Sequence, residues 1–384
     1  MKTLLISLYP PNKYGGKIGG VVILLHDILS VATKNVDLVV YNDDKGDFDL
    51  PEKVRFVPWN KIVDRKNNRR IKSFRYSLYK DYRDYTLDVR GYDKIIFYPY
   101  FSSLFNFKNL NAEIYTIGMD SGPLLYMRGM LNNHILKYKV FSLVEFIQAI
   151  KIDRHAVSLS KKVFTVGEAD AWFYKSVLFA DANFVHHPVS SLIDGYKKHE
   201  WKENEKLRIC FPGGMTLFYA PRLMEDILTL ILKKSDEFKG KVIISFLGRI
   251  QSKKVDNILS TLQKVGVEVE RTLFAEDFEE YISSQDIVLL PLEVGVGTKN
   301  KALTTLGMGV DLIGTKIALE NVYGVTEDHL ACDATQFIAQ INKRISNSKL
   351  YGLNESEIIR FKEYHSVQQW KENFWDVIYD ETGI

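Results

Sequence analysis

The chain has 384 residues, 46% hydrophobic and 26% charged; that composition excludes a disordered protein, and the length suits two cores better than one. Net charge is only +3, and two cysteines, Cys210 and Cys332, exclude a disulfide scaffold or a cysteine-rich zinc site. No run approaches roughly 18 apolar residues, so no membrane-spanning helix is expected. The opening "MKTLLISLYPPNKYGG" has neither the apolar length nor the cleavage site of a secretion signal. A cytoplasmic protein is expected.

In chain order, "TLLIS" (Thr3–Ser7) is a short apolar run before a loop rich in Pro and Gly, and "GGVVILLHDILSVATK" has helical spacing. "VDLVVY" and "VRFVPW" follow, then "DKIIFYPY", "AEIYTIG", "KKVFTVG" and "ANFVHHP". Such runs, rich in Val, Ile, Phe and Tyr, suit strands buried on both faces of a parallel sheet. Helices are expected between many of them, notably over 133–158 and 168–179. "SSLIDGYKKHEWKENEKL" is polar and reads as a boundary. The rhythm then restarts with "LRICFPGG", a helix from Pro221, "KVIISFLG", a helix over 257–265, "VEVERTL", a short acidic helix near 276–283, "DIVLLPL" and "DLIGT". A long amphipathic helix is expected over 355–380. The fold class is therefore α/β, with two doubly wound Rossmann-like domains. They span 1–190 and 207–365, with a linker at 191–206 and a closing helix at 366–384.

Charge is unevenly spread. Nine basic residues between Lys61 and Arg83, among them Arg65, Lys66, Arg69, Arg70, Lys72 and Arg75, face only Asp64 and Asp81. Trp59, Phe74, Tyr76, Tyr79, Tyr82 and Tyr85 are interleaved. The segment suits either a solvated helix face with its aromatics in the core or contact with an anionic membrane surface. No recognition motif accompanies it, so nucleic acid is not expected as a partner.

Doubly wound sheets bind ligands beyond the carboxyl ends of their strands. In the first half that loop is "YPPNKYGGKIGGVV", where Gly15, Gly16, Gly19 and Gly20 let a ligand approach the backbone. The spacing is not the dinucleotide fingerprint. In the second half Gly213 and Gly214 follow a buried strand, forming either a tight turn or a ligand loop. The strongest signal is "PLEVGVGTKNKAL": a strand ends in Gly295-Val296-Gly297 and leads into a helix near Thr298, with Lys299 and Lys301 beside it. Helix amides, helix dipole and lysines together suit a phosphate. His186 and His187 lack a third ligand nearby, so a hinge role is expected of them rather than a metal site.

These motifs together resemble the GT-B glycosyltransferases, in particular a bacterial polysaccharide-biosynthesis branch of the retaining glycosyltransferase family 4. "GVGTKNKALTTLGMGVDLIGT" is similar to its G-x-G-T-x-x-K-x-L-E-A-M-A-x-G run, and "TKIALENVYGV" to its T-x-x-A-x-x-G-L segment. "GMDSGPLLYMRG" resembles its D-S motif, and "DRHAVSLSKKVFTVGEADAWFYK" its E-R…V-S-E-x-D segment with Asp153 in place of Glu. "HHPVS" stands where the family has a short P-x-G-V link. The tail "HSVQQWKENFWDVIYDE" is similar to the family's closing helix, which crosses back onto the N-terminal domain. The resemblance covers nearly the whole chain.

The resemblance implies a nucleotide-diphosphate-sugar donor held mainly by the C-terminal domain, an acceptor against the N-terminal domain, and transfer in the cleft between them. It implies that Lys301 and the Gly295–Gly297 turn face the diphosphate, and that the Gly15–Gly20 loop closes over it. No cofactor and no metal are expected, since amides and lysines can stabilise the departing phosphate. The site implied comprises Asp120, Glu293 and Lys301 as catalytic candidates. Donor binding would involve Gly15, Gly16, Gly19, Gly213, Gly214, Arg249, Gly295, Val296, Gly297, Thr298, Lys299 and Thr304. Asp120, Ser121 and Arg128 would meet the acceptor. Two departures stand out. The family's ribose-binding Glu is Thr304 here, and Glu293 lies one position out of step with the earlier acid. The expected role is transfer of a sugar to a lipid-linked or oligosaccharide acceptor in surface-polysaccharide assembly, peripheral to the inner face of the membrane. The alternative is a catalytically silent GT-B protein that partners an active transferase.

Overall fold

The computed structural model describes residues 1–13, 20–66, 80–189, 191–202, 205–213, 218–220, 222–250 and 252–380, without the side chains of 65, 66, 80, 81, 119, 191 and 192. It divides into two compact units. The first comprises Met1–Leu124, Glu145–Pro188 and Ser366–Ile384; the second comprises Leu125–Val144 and Val189–His365. The Leu136–Leu159 helix begins among residues of the second unit and ends among those of the first.

The first unit is built on β1 (Thr3–Ser7), β2 (Val36–Val40), β3 (Val54–Phe56), β4 (Val63–Lys66), β5 (Tyr85–Asp88), β6 (Lys94–Tyr98), β7 (Asn106–Lys108), β8 (Glu113–Met119), β9 (Lys162–Thr165) and β10 (Ala182–Phe184). Seven of these form a parallel sheet in the order β10-β9-β8-β6-β1-β2-β3. Both faces of the central strands are covered, which is why they read as predominantly apolar runs. In β1, Leu4 and Ile6 enter one core with Trp59, Ile95 and Phe97, while Leu5 enters the other with Ile96, Trp370 and Trp375. A small separate sheet orders β4-β5-β7. Val63–Lys66, inside the basic segment that by its sequence suits either a solvated helix face or a membrane contact, is a strand, paired antiparallel to β5.

The second unit holds β11 (Leu207–Pro212), β12 (Val242–Leu247), β13 (Glu268–Thr272), β14 (Ile287–Leu290) and β15 (Asp311–Gly314), all parallel in the order β13-β12-β11-β14-β15. A fully buried ion pair fixes its far edge: Arg344 donates Nε to Asp311 Oδ2 at 2.7 Å and Nη2 to Oδ1 at 2.8 Å.

The expected continuous helix over 355–380 is interrupted. Glu355–Tyr364 is capped at its start by Asn354 and Glu357, and ends at His365. His365 is fully buried; its carbonyl accepts from Val189 N at 2.8 Å and its Nε2 from Tyr323 N at 3.1 Å. Those bonds hold the chain where it passes from the second unit to the first. The helical turns from Gln368 to Tyr379 then bury Trp370, Phe374, Trp375 and Ile378 in the first unit. Trp375 Nε1 donates to Ile28 O at 2.7 Å, and Tyr379 Oη to Thr3 Oγ1 at 2.9 Å.

Candidate functional site

Strand order reverses between β11 and β14 in the second unit: the chain runs outward through β12 and β13 on one side and through β15 on the other. Carboxyl ends at such a switch point frame the natural crevice of an open α/β sheet. Gly213 directly follows β11, with φ +73°, a left-handed conformation that suits glycine. After β14 the chain turns through Pro291–Lys299, with Gly297 at φ +64°, into the helix Asn300–Gly307. Lys301, in that helix's first turn, sends its ammonium across to Pro212 O at 3.0 Å. A Cβ on Gly213 would lie 2.2 Å from Lys301 Nζ. The two glycine loops, far apart in sequence, therefore meet through Lys301. Burial lowers the Lys301 pKa from the ordinary lysine value, and among the described residues no carboxylate pairs with it. A cation left without an acid beside helix amides is a receptive place for an anion.

The neighbouring residues divide between tasks. Lys299 curls back: its Nζ donates to Val296 O and, at 2.9 Å, to Gly297 O, so its charge steadies the turn. Val296 and Thr298 are buried beneath that turn, and Thr304 is buried one turn into the helix. Arg128 makes a bidentate pair with Glu320, at 2.8 and 2.9 Å, and donates Nη1 to Gly295 O at 2.7 Å. It belongs with the glycine turn by its bonds, although sequence grouped it with Asp120 and Ser121. Glu293 accepts the backbone N–H groups of Arg222 and Leu223 at 2.8 and 2.9 Å, and so caps the helix Leu223–Lys233. Arg249 lies just past β12, exposed and without an ion pair among the described residues.

In the first unit, Asp120 and Ser121 follow β8. Ser121 is fully buried: its N–H donates to Asp170 Oδ1 at 2.6 Å, and its Oγ accepts from Leu124 N at 3.3 Å, capping the helix Gly122–Asn132. Beneath it Asp153 accepts from Tyr174 Oη at 2.8 Å, while its other oxygen, Oδ1, is buried without a partner. Burial raises the Asp153 pKa well above the usual carboxyl value, and the nearby Asp170 adds to this. Gly15, Gly16, Gly19 and Gly214, and the side chains of Arg65, Lys66, Arg69, Arg70, Lys72 and Arg75, lie outside the described residues.

No protein-family model matches the sequence, and no curated protein matches it. Solved structures do. A sucrose-phosphate synthase from Thermosynechococcus elongatus superposes with a TM-score of 0.66 at 10% identity, over 98% of each chain. Anabaena HepE, solved with UDP and glucose, gives 0.62 at 12% identity, over 99% of this chain and 100% of its own. WaaG, a glycosyltransferase involved in lipopolysaccharide biosynthesis, gives 0.58 at 10% identity, over 98% and 100%. The chain has the GT-B fold. At 10–12% identity the likeness is one of fold.

In this GT-B chain the residue that sequence reading passed over is Glu320. It lies six residues beyond the end of β15, in the segment "TKIALEN", and its carboxylate holds Arg128 against the turn. Its position just past a strand's carboxyl end was the available signal. The pairing with Arg128, 192 residues away, was not readable from local pattern.

Proposed function

We propose that this protein is a glycosyltransferase that binds a nucleotide-diphosphate sugar at the carboxyl ends of β11 and β14. One observation carries the reading: Lys301, partly buried and without an acidic partner among the described residues, bridges from the post-β14 helix to Pro212 and lies against Gly213. In the reaction the bond between the sugar's anomeric carbon and the diphosphate oxygen breaks, and its electron pair leaves with the nucleoside diphosphate. The acceptor oxygen forms the new bond to that carbon and passes its proton to the departing diphosphate oxygen. Lys301 and the first amides of the Asn300–Gly307 helix meet the charge that grows on the departing phosphate. Arg128 and Glu320 position the glycine turn and need not touch substrate. The resemblance to glycosyltransferase family 4 supports retention of anomeric configuration, a lipid-linked or oligosaccharide acceptor, a role in bacterial surface polysaccharide and a place at the inner face of the membrane. The structures of HepE with UDP-glucose and of WaaG are consistent with that direction.

The test is calorimetry with UDP, GDP and CMP on the wild type and on Lys301→Ala, followed by turnover with the matching sugar nucleotides. Binding by the wild type that Lys301→Ala abolishes, together with sugar transfer, supports the reading. Normal binding and turnover by Lys301→Ala overturns it. Thr304 favours a second reading, a GT-B protein that no longer transfers sugar, because a threonine cannot accept two ribose hydroxyls as a carboxylate does. Absence of a response to every nucleotide would select that reading.

A further inference from the structure

The Leu136–Leu159 helix has apolar residues on two opposite faces, and the core takes only one. Ala149, Ile152 and Ala156 are buried, with Ser142 and Asp153 on the same side. Leu136, Val140, Leu143, Val144 and Ile147 are exposed by 36–74%. At 100° per residue these five fall within a sector of about 100°, a continuous aliphatic stripe roughly three turns long. Leu131, at the end of the preceding helix, is exposed as well. Phe141 stands apart from the stripe, packed edge-on against Phe218.

Charge around the stripe has one sign. Lys137 borders one edge and Lys139 the other, and Lys151 and Arg154 continue along the same side of the helix. None of these four makes an ion pair among the described residues. Between Leu131 and Val144 there is no acid, and Glu145 lies on the far side of the helix. An exposed aliphatic stripe edged by lysines without ion pairs among the described residues is poorly suited to a second copy of itself, because two-fold pairing would set lysines against lysines. It suits a bilayer surface, where aliphatic tips enter the acyl boundary and lysines extend to the phosphates.

We infer that the Leu136–Ile147 face is a membrane-docking surface for anionic lipid, with this helix lying along the bilayer plane. The inference rests on the membrane part of the proposed function but uses different residues from the Arg65–Arg75 segment and none of the donor site. The test uses the full chain and vesicles of phosphatidylcholine, alone or mixed with phosphatidylglycerol, in co-sedimentation. The wild type should bind the mixed vesicles and release at high salt. Leu136→Ser/Val140→Ser/Leu143→Ser should bind at least about 10-fold more weakly, with melting temperature and nucleotide response unchanged, since all three side chains are exposed. Lys137→Glu/Lys139→Glu should lose the preference for phosphatidylglycerol. A parallel Arg69→Glu/Arg70→Glu variant reports on the other basic segment, so the two surfaces fail separately. Undiminished vesicle binding by the triple serine variant overturns the inference. So does a wild type that ignores vesicles, whether it stays monomeric or forms a dimer that the serines abolish.

Discussion

Gly213→Ala separates two effects that meet at one atom. The first is backbone strain: Gly213 sits at φ +73°, where any residue with a Cβ costs about 1–2 kcal/mol. For a domain of this size about 1 kcal/mol lowers Tm by roughly 2–4 °C, so the variant should melt about 2–8 °C lower. The second effect is displacement. The new Cβ would lie 2.2 Å from Lys301 Nζ and 2.9 Å from Cε, so the ammonium must leave Pro212 O. Because it is the tip of a flexible chain, it can swing away at little further cost in stability, but the charge moves with it. If that charge holds a diphosphate as a hydrogen bond to a charged group usually does, about 1.5–3 kcal/mol, affinity should fall about 10- to 100-fold. Calorimetry with the nucleoside diphosphate that the wild type binds, on Gly213→Ala, Lys301→Ala and the pair, reads this directly. The pair should bind about as weakly as Lys301→Ala alone, since the alanine methyl then displaces nothing. Losses that simply add, to within about 0.5 kcal/mol, would show that the two residues do not act on the ligand through one another and would refute the reasoning.

Glu293→Ala should cost about 1 kcal/mol by uncapping the Leu223–Lys233 helix, with nucleotide affinity intact by calorimetry; lost turnover at unchanged Tm would instead place its carboxylate in the chemistry. Arg128→Lys keeps the charge but loses the fork to Glu320, so it should raise KM for the donor several-fold, and Glu320→Gln should mimic it without adding to it in steady-state kinetics. Arg344→Met leaves Asp311 buried and unpaired, and chemical denaturation should register a loss of about 3–5 kcal/mol. Burial raises the folded pKa of Asp153 above its unfolded value, so the stability tied to its neutral form is present below the unfolded pKa and is lost as pH rises through the folded one. Asp153→Asn should therefore show a smaller fall in Tm between pH 5 and pH 8 than the wild type.

The strands were legible because burial on both faces leaves an unambiguous mark. Thr3–Ser7, Val36–Val40, Lys94–Tyr98 and Ile287–Leu290 are predominantly apolar in the sequence, with Asp37 and Lys94 the charged exceptions, and buried strands in the fold. Where one face is wet or the pairing is between short segments, the mark fades. β4, β5 and β7 hold three or four residues each, and Val63–Lys66 is basic enough to read as a solvated helix. From sequence a domain limit falls at 365, yet one helix is expected across it, for a different reason. Helical periodicity runs on through it, while the bonds that interrupt it come from Val189 and Tyr323, far off in sequence.

At the candidate site, local pattern gave position but not partnership. Gly213, Gly297 and Lys301 were readable because a strand end, a glycine and a helix start lie within a few residues of one another. What each side chain does there depends on a contact from elsewhere. Lys299 and Lys301 are two residues apart and equally basic, yet one binds the carbonyls of its own turn and the other crosses to β11. The difference follows from where each stands: Lys299 is the cap residue, with extended backbone (φ -88°, ψ 111°), while Lys301 lies in the helix's first turn, so their side chains leave the chain in different directions. In this glycine-rich turn one lysine of K-x-K therefore serves its own loop and the other reaches the neighbouring strand.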